Sequence, residues 1–539
     1  MKKGTKTILL TAALTLGLAA PAAAANVAVT LPDFPVTLNG TAIDNSYRQY
    51  PLLVYKNITY FPMTYYDCRF LGVETEWTQQ NGLKIEKSSL TGAYHQQNAA
   101  AKNSKTATAQ IAAGKITVNG KSIHNSKEEY PLLSYRNVTY FPLTWRFAVD
   151  EFGWKYNFNS KAGLVIDAGN TKTSSVNLKD ARMDNAYLTF DFAVDKNYLY
   201  YQGQQGEIYR RPLNDWNNDK QRKTLLQVPK EDSYWVGYPM IHFQEQEGNV
   251  YLRYHSGGAS FGGDYLYGVK NGKLGEELIE YSYDEYVDFG DFCVQIAGTM
   301  VGGQPAVPMT YLGKDGTAKE LGPDGYRYHI TTSAYDKKRE QLYVSAVNTE
   351  QSAKSYLYAV SLADNQLKQL SSNCTSNYKV ADDYIYYLSY MKPDGTADAN
   401  YSQRHLYSID LKTGKETYID YAGQSDKDYT VLYAAADNGV YYRNSSTGSL
   451  MFYHQATGKR DILNDGFKVN LLTSQNGYVI AGFEEHPKSS CRLAVYQSTA
   501  NGSKQVYASA DVSDKAVVNT DGLLVYRLNG SSQLVKVQL

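Results

Sequence analysis

One stretch of this chain is repeated, and the repeat constrains the fold more than any other feature. The segment from Tyr50 to Pro62 returns without a gap as Tyr130 to Pro142. When the stretch from Val36 to Tyr65 is aligned with its copy from Ile116 to Trp145, more than half of the positions carry the same amino acid. Such self-similarity indicates a duplicated structural module.

The beginning of the chain, up to Ala25, has the composition of a secretory signal peptide. Lys2, Lys3 and Lys6 precede an apolar run from Ile8 to Ala20, and small residues follow. The run is too short to span a bilayer, and no later apolar stretch is long enough to do so. We therefore predict cleavage after Ala25 and a secreted, extracellular or cell-wall-associated protein without a membrane span.

The charge of the chain argues against nucleic acid as a partner. The whole chain has a net charge of zero, and removal of the three leader lysines leaves the remainder three units negative. A protein that binds nucleic acid needs a basic surface. We predict no nucleic-acid partner.

The pattern of each module predicts short strands and one helix. Asn39-Gly40 between apolar residues is typical of a tight hairpin, and Lys56-Asn57 divides the repeated stretch into two strands. Pro62 is predicted to open a helix that runs through Leu71 and ends at Gly72. Beyond the second helix, where Gly153 matches Gly72, the two copies are offset by one more position, and we expect this one-residue insertion to be absorbed at a loop edge.

These residues resemble the copper amine oxidase N-terminal-like module of secreted bacterial proteins. The resemblance implies a small antiparallel sheet around one helix in residues 27–87, and a second such module in residues 111–168. Thr64 and Thr144 stand near the position of an arginine that is usual in the family. The residues that carry the pattern are Asn39-Gly40, Pro51-Leu52-Leu53, Tyr55 to Pro62, Leu71-Gly72 and Glu76-Trp77.

No copper enzyme is predicted, because the copper in that family's name belongs to a separate catalytic domain. A copper centre of that kind needs converging histidines, and no two of the eight histidines lie close in sequence. The nearest approach to the enzyme's cofactor motif runs from Thr375 to Lys379 and has the wrong spacing. We predict no metal, no cofactor and no amine oxidase activity.

The four cysteines give no sign of a disulfide framework. Cys68, Cys293, Cys374 and Cys491 are far apart in sequence and form no C-x-x-C pair. A small domain stapled by disulfides has a denser pattern. We predict scattered buried thiols.

Two segments are predicted to be flexible linkers, residues 88–110 between the modules and residues 169–179 after them. The first is rich in Ala, Gln, Ser, Thr and Lys. A segment with little apolar surface has little to hold it against a core. We expect residues 88–110 to be the main site of limited proteolysis.

Residues 180–539 carry a different repeat, with an irregular period of roughly 38 to 56 residues. A polar turn leads into a tyrosine-rich strand, as in Asp195 to Tyr201 and Asp382 to Tyr387. Units of four strands at this period predict a β-propeller. The length favours eight blades, with seven as the alternative. The strand from Gln533 to Val537 is expected to close the ring with Ala186 to Phe190.

The pattern is also similar to a tyrosine-rich family of bacterial propellers of unknown function that occurs fused to such modules. The chain has 50 tyrosines against 16 phenylalanines. Tyrosine favours strands, and its hydroxyl can stay in water while its ring packs. The predicted fold class is therefore mainly β, with two small α+β modules followed by a propeller.

The predicted ligand site lies where the connections enter the innermost strands. In a propeller these connections gather at one end of the channel, and here they carry aromatic residues beside Asp232, Asp284, Glu285 and Asp288. Flat apolar faces beside hydrogen-bond acceptors suit sugar rings or extended peptides. We predict a groove centred on Trp235. The other candidate contacts are Tyr234, Tyr283, Tyr286, Tyr326, Tyr328, Tyr378 and Tyr429.

Three functions are compatible with this sequence. The first is a non-enzymatic binding protein, whose modules serve as a stalk or attachment and whose propeller recognises a cell-wall polymer, a glycan or an extracellular peptide or protein. The alternative is a propeller enzyme that acts on extracellular polysaccharide or peptide, which needs two carboxyls that converge in a pocket. A purely structural component of the envelope is the third hypothesis.

Overall fold

The computed structural model describes residues 25–184, 189–230, 238–246, 249–257, 263–279, 285–296, 306–351, 354–375, 377–397, 403–424, 432–464, 467–486 and 489–539. The protein is mainly β-sheet and divides into two compact units, one ending at Ser174 and one beginning at Ser175. No helix among the described residues is long and apolar enough to cross a membrane.

The first unit holds the strands of both sequence repeats. In chain order these are β1 Asn26–Thr30, β2 Val36–Leu38, β3 Thr41–Ala42, β4 Leu53–Tyr55, β5 Ile58–Pro62, β6 Val73–Thr78, β7 Gly82–Lys87, β8 Thr106–Ile111, β9 Ile116–Val118, β10 Lys121–Ser122, β11 Leu133–Tyr135, β12 Val138–Pro142, β13 Lys155–Asn159 and β14 Gly163–Asp167. Its helical segments are the α-helix α1 Tyr65–Phe70, the 3₁₀ turn Asn125–Lys127 and the π-helix Trp145–Glu151.

The tight hairpins have the predicted geometry. Asn39 and Gly40 both have positive φ, at 45° and 82°, and so do Lys56 and Asn57, at 50° and 61°. Two successive residues with positive φ are typical of the type I′ turn that matches the twist of a hairpin. The Asn-Gly hairpin and the division of the repeated stretch are both confirmed.

A closed six-stranded barrel combines three strands from each repeat, in the order β1-β4-β5-β12-β11-β8. Where β5 meets β12, Phe61 lies opposite Phe141, and where β1 meets β8, Ala28 lies opposite Thr108. Each of these pairs joins matching positions of the two copies. The two repeats are therefore related by an approximate two-fold axis that passes through both pairings.

The remaining strands are exchanged between the repeats. Strand β7 of the first repeat runs parallel to β9 of the second, and β14 of the second runs parallel to β2 of the first. Each of the two resulting four-stranded sheets takes one hairpin from each repeat. The prediction of two separate modules, 27–87 and 111–168, is thus wrong in one respect, because the repeats share their barrel, their sheets and one hydrophobic core.

The segment predicted as a flexible linker, residues 88–110, is part of this unit. Residues 106–110 belong to β8, and the residues before them form backbone hydrogen bonds with the first repeat, from Gln49 N to Gln97 O (2.7 Å) and from Ala99 N to Tyr47 O (2.6 Å). Thr91 and Ala93 are buried. The segment has regular contacts with the first repeat despite its low apolar content, because its backbone groups form hydrogen bonds there.

The helices differ from their predicted form in two ways. Pro62 ends β5, and α1 begins later, after Thr64, whose Oγ1 accepts a hydrogen bond from Asp67 N at 3.1 Å. In the second repeat the extra residue lies inside the helix, where Phe152 N donates to Phe147 O (3.1 Å), five residues back. The insertion is absorbed as a π-helical turn and not at a loop edge.

The second unit consists of four-stranded sheets. Strand β15 Thr173–Asn177 spans the boundary between the units and lies within the predicted linker 169–179. Seven sheets follow, each a meander of consecutive strands: β16 Phe192–Val194, β17 Tyr198–Gln202, β18 Glu207–Pro212 and β19 Lys223–Gln227; β20 Ile241–Gln246, β21 Asn249–Ser256, β22 Gly263–Lys270 and β23 Lys273–Ile279; β24 Glu285–Asp288, β25 Phe292–Ile296, β26 Met309–Gly313 and β27 Ala318–Leu321; β28 Tyr326–Asp336, β29 Gln341–Asn348, β30 Ser355–Ser361 and β31 Leu367–Gln369; β32 Asn377–Ala381, β33 Tyr384–Ser389, β34 Gln403–Asp410 and β35 Glu416–Gln424; β36 Tyr433–Ala436, β37 Gly439–Arg443, β38 Leu450–His454 and β39 Arg460–Asn464; β40 Val469–Gln475, β41 Tyr478–Phe483, β42 Leu493–Thr499 and β43 Gly502–Ser509. The last sheet joins β15 to β44 Ser513–Val518, β45 Leu523–Leu528 and β46 Gln533–Gln538, and two 3₁₀ turns lie at Leu213–Asp215 and Asp219–Gln221.

These sheets form a ring. First strands of successive sheets are neighbours, such as β28 and β32 or β36 and β40, and β16 lies beside both β20 and β44. A ring of four-stranded meanders is a β-propeller. The chain does end in a strand of the closing sheet, but β15 takes the place beside it that the sequence assigns to Ala186 to Phe190. Residues 185–188 lie outside the described residues.

The repeated tyrosines fill the space between sheets. Tyr200, Tyr343, Tyr386 and Tyr441 occupy matching positions in second strands, and each side chain is fully buried. The hydroxyl of Tyr343 donates to Asp336 Oδ2 at 3.0 Å, and that of Tyr200 donates to Asp195. The tyrosine bias of the sequence thus belongs to the core at these positions, where a turn aspartate satisfies the hydroxyl in two of the sheets.

Candidate functional site

A cavity of about 270 Å³ opens at one end of the propeller, between the sheet of β28–β31 and the sheet of β32–β35. Antiparallel strands alternate in direction, so the starts of β30, β32 and β34 and the end of β33 meet at this end. It is also the end where connections enter the first strands, for which the sequence predicts a ligand groove. The cavity is lined by Lys354, Ser355, Cys374, Thr375, Asn377, Leu388, Ser389, Tyr390 and Arg404.

Hydrogen bonds fix the wall of the cavity that precedes β32. Thr375 N donates to Ser355 O at 2.8 Å, which ties the connection to the neighbouring sheet. The hydroxyl of Ser389 donates to Cys374 O at 2.7 Å. The hydroxyl of Thr375 donates to Asn377 O at 3.1 Å. These bonds join Cys374 and Thr375 to neighbouring strands, which favours a preformed cavity wall at these two residues.

Two polar groups of the lining have hydrogen-bonding capacity that the described residues do not use. The Oγ of Ser355 is buried and has no hydrogen-bond partner among the described residues. Asn377 accepts the Tyr433 hydroxyl through its Oδ1 (2.6 Å), which leaves its NH₂ and the second lone pair of Oδ1. The cavity can therefore form directed hydrogen bonds with a polar ligand.

Two of the predicted ligand contacts are core residues. Tyr378 is 4% exposed, and its hydroxyl donates to Tyr343 O at 2.9 Å across the interface between two sheets. Tyr328 is 1% exposed and donates to Pro323 O, also at 2.9 Å. Neither ring faces a ligand, because each packs in the hydrophobic core between blades.

Two other predicted contacts are half-buried. The hydroxyl of Tyr286 lies 2.6 Å from Cys293 Sγ, and burial raises the pKa of this phenol. The ring of Tyr326 stacks on Tyr328, with the ring centroids 5.9 Å apart. The predicted groove centre Trp235, together with Tyr234, Tyr283, Tyr429, Asp232 and Asp284, lies outside the described residues.

The described carboxylates of the predicted site join one sheet to the next. Glu285 Oε2 accepts Ile330 N at 2.8 Å, and Asp288 Oδ2 accepts the hydroxyl of Tyr251 at 2.9 Å. Both bonds cross between neighbouring sheets. These acceptors are therefore engaged in holding the ring together.

The sequence did not predict the cavity residues at the start of β32, although one feature of the pattern indicated them. Asn377 directly precedes Tyr378, and neighbouring residues of a strand point to opposite faces. A tyrosine that packs into the core thus turns the residue before it away from the core. The alternation was available in the sequence, but it does not show which of the two faces is buried.

The first unit has a smaller site around a buried ion pair. The Arg48 guanidinium pairs with Asp67 and also donates to Tyr94 Oη (2.9 Å) and Tyr50 O (2.8 Å). The cavity beside it measures about 10 Å³, room for one water-sized group. The Arg48–Asp67 pair links the segment before β4 to helix α1.

The thiols and potential metal ligands are dispersed in the part of the chain that the structure describes. All four cysteines are free, and burial raises the pKa of Cys491 to about 11. Among the described residues, no group of three His, Cys, Asp or Glu side chains is arranged to hold a metal ion.

Comparison with known proteins adds little to this picture. No protein-family model matches the chain, and a search of curated proteins finds no match either. Among solved structures, the computationally designed Ika8 protein is 11% identical, with a TM-score of 0.38 over 67% of this chain and 98% of that one. The RRP9 WD40 repeats are 9% identical, with a TM-score of 0.33 over 68% of this chain and 99% of that one.

A further similar structure is the β-propeller domain of the Trilobed protease from Pyrococcus furiosus, 9% identical, with a TM-score of 0.36 over 53% of this chain and 90% of that one. The propeller assignment rests on the order of the sheets and on the ring of neighbouring first strands.

Proposed function

We propose that this is an exported, non-enzymatic binding protein whose propeller recognises a glycan or peptide of the cell surface. The observation that carries the proposal is the cavity of about 270 Å³ at the connection end of the propeller. Ligand sites are concave, few in number and supplied with a small set of directed polar groups. The hydrogen-bonded wall and the polar groups of Ser355 and Asn377 match that description.

The architecture that we propose has an eight-bladed propeller, with β15 as the outer strand of the closing blade. Support comes from the eight four-stranded sheets that the described residues of the second unit form. The leader is removed after Ala25, and the first strand of the barrel begins at the next residue, Asn26. The mature protein stays outside the membrane or on the cell wall.

We also propose that the first unit serves as a stalk or attachment module of the copper amine oxidase N-terminal-like type. The motif from Tyr55 to Pro62 and its copy carry the resemblance, and both copies lie in strands of the barrel. The family's small sheet around one helix is modified here by the exchange of strands between repeats. Attachment through this unit leaves recognition to the propeller.

A blocking substitution tests the proposal. Ser355→Phe places a ring in the cavity, and Ser361→Phe places the same ring at the opposite end of the same strand, β30. The full chain and both variants are incubated with purified cell-wall fragments and applied to a glycan array, and their thermal unfolding is recorded.

We expect the wild type and Ser361→Phe to retain binding and Ser355→Phe to lose it without a matching loss of folded protein. Equal retention by both variants would refute the cavity as the binding site. Absence of wild-type binding to every wall fraction and glycan would refute the proposed function.

A further inference from the structure

The charge of the cavity lining is one-sided. Lys354 and Arg404 stand at the entrances to β30 and β34, and none of the described residues that line the cavity is acidic. The Arg404 guanidinium donates to Gln403 O through Nη1 at 3.1 Å, and the fork of N–H groups on a guanidinium serves several acceptors at once. Two cationic residues from neighbouring sheets therefore line the same cavity.

The neutral groups of the lining add donors to these cations. Ser355 contributes a hydroxyl that has no partner among the described residues, and Asn377 contributes its NH₂ beside an oxygen that accepts the Tyr433 hydroxyl. A neutral sugar hydroxyl both donates and accepts hydrogen bonds, whereas an oxyanion only accepts them. Ser355 and Asn377 can serve either kind of ligand group, and the two cations favour a ligand that carries negative charge.

We propose that the ligand of this cavity is an anionic saccharide unit, whose carboxylate or phosphate group is bound by Arg404, Ser355 and Asn377. This inference rests on the proposed function and narrows it to a class of ligand. A guanidinium binds planar and tetrahedral oxyanions through two parallel hydrogen bonds. The exposed Lys354 contributes attraction at the rim, and its effect depends on ionic strength.

The test compares three sugars of one ring size on the full chain: glucuronate, glucose 6-phosphate and glucose. Binding is measured by calorimetric titration at low and at high salt. We expect at least one anionic sugar to bind about tenfold or more tightly than glucose, as is typical of a charge-assisted hydrogen bond, and to weaken as salt is added. If only glucuronate binds more tightly than glucose, the natural ligand carries a carboxylate group. If only glucose 6-phosphate does so, the natural ligand carries a phosphate group.

Variants separate this inference from the proposed function. Arg404→Gln should lower the affinity for the anionic sugar about 10- to 100-fold. Lys368→Gln removes an exposed cation from β31, outside the cavity, and should leave affinity unchanged.

If glucose binds as tightly as both anionic sugars, or if Arg404→Gln has no effect while Ser355→Phe abolishes binding, the anionic class is wrong and the cavity remains a binding site. If Ser355→Phe binds the anionic sugar as the wild type does, the proposed site itself is wrong. Absence of binding of both anionic sugars at millimolar concentration also overturns the inference.

Discussion

Replacement of Phe61 by Ala should destabilise both sequence repeats by the same amount. Phe61 is fully buried beside the two-fold axis, where it lies opposite Phe141, and its ring packs edge-on against Trp154 of the second repeat at 5.6 Å between ring centroids. The indole of Trp154 in turn donates to Leu71 O of the first repeat at 3.0 Å. Truncation of a buried phenylalanine to alanine costs about 3–5 kcal/mol. Because the barrel closes only with strands from both repeats, that loss is shared.

Hydrogen exchange on the full chain, read by mass spectrometry of peptides, measures this loss strand by strand. A cost of about 4 kcal/mol raises the populated open state roughly a thousandfold, so the exchange of protected amides in β1, β4 and β5 should accelerate by that factor. Amides of β8, β11 and β12 should accelerate equally, although these strands belong to the other repeat. Tyr47→Ala, at a side chain 47% exposed, is the matched control and should change neither set. Unchanged exchange of the second repeat in Phe61→Ala would refute the shared core.

Two other predictions concern single charged residues. Asp67→Asn breaks a pair with Arg48 in which both side chains are less than a tenth exposed, and should cost about 3–5 kcal/mol, whereas Glu128→Gln breaks a pair whose Arg146 is 47% exposed and should cost under about 1 kcal/mol. Equal costs in chemical denaturation would contradict this ranking. Burial raises the pKa of Glu245 to about 7, so the native state keeps a proton that the unfolded chain releases near pH 4.5. The contribution of Glu245 to stability should therefore fall as the pH rises from about 4.5 to 7, and Glu245→Gln should remove that part of the pH dependence of the urea midpoint. If the urea midpoint of Glu245→Gln changes with pH as that of the wild type does, the raised pKa of Glu245 is refuted.

The sequence could predict turns and repeats in this fold, because these depend on local chemistry. Asn39-Gly40 adopts positive φ at both positions, as the tight hairpin demands. The exchange of strands between repeats was not predictable in the same way, since an apolar strand pattern shows burial but not which strand lies beside it. One trace of the exchange exists: a Cβ at Gly163 would lie 1.9 Å from Pro35 O of the other repeat. A glycine in a strand indicates that another backbone segment lies close to it, but only the structure shows which segment that is.

The candidate site was only partly predictable for a related reason. The sequence indicated the end of the propeller where connections meet, and the cavity lies there. It did not distinguish a tyrosine that packs between blades, such as Tyr378, from one that faces solvent, because both occur in strands that alternate in the same way. The polar residues of the cavity carry no motif, and strands from two sheets bring them together.

The exchange of strands raises the question of why the two repeats pair within one chain, since either repeat offers the same edges to a second molecule. The segment between the repeats favours pairing within one chain. Residues 88–105 cross the first repeat and are held there by backbone hydrogen bonds, among them Asn103 N to Ser46 O at 2.7 Å. Asn103 also donates through its side chain to Arg48 O at 2.7 Å, beside the buried ion pair. A short, ordered connection gives the second repeat a high effective concentration at the first, which a separate molecule cannot match. A connecting segment with little apolar sequence thus favours the pairing of the two repeats within one chain.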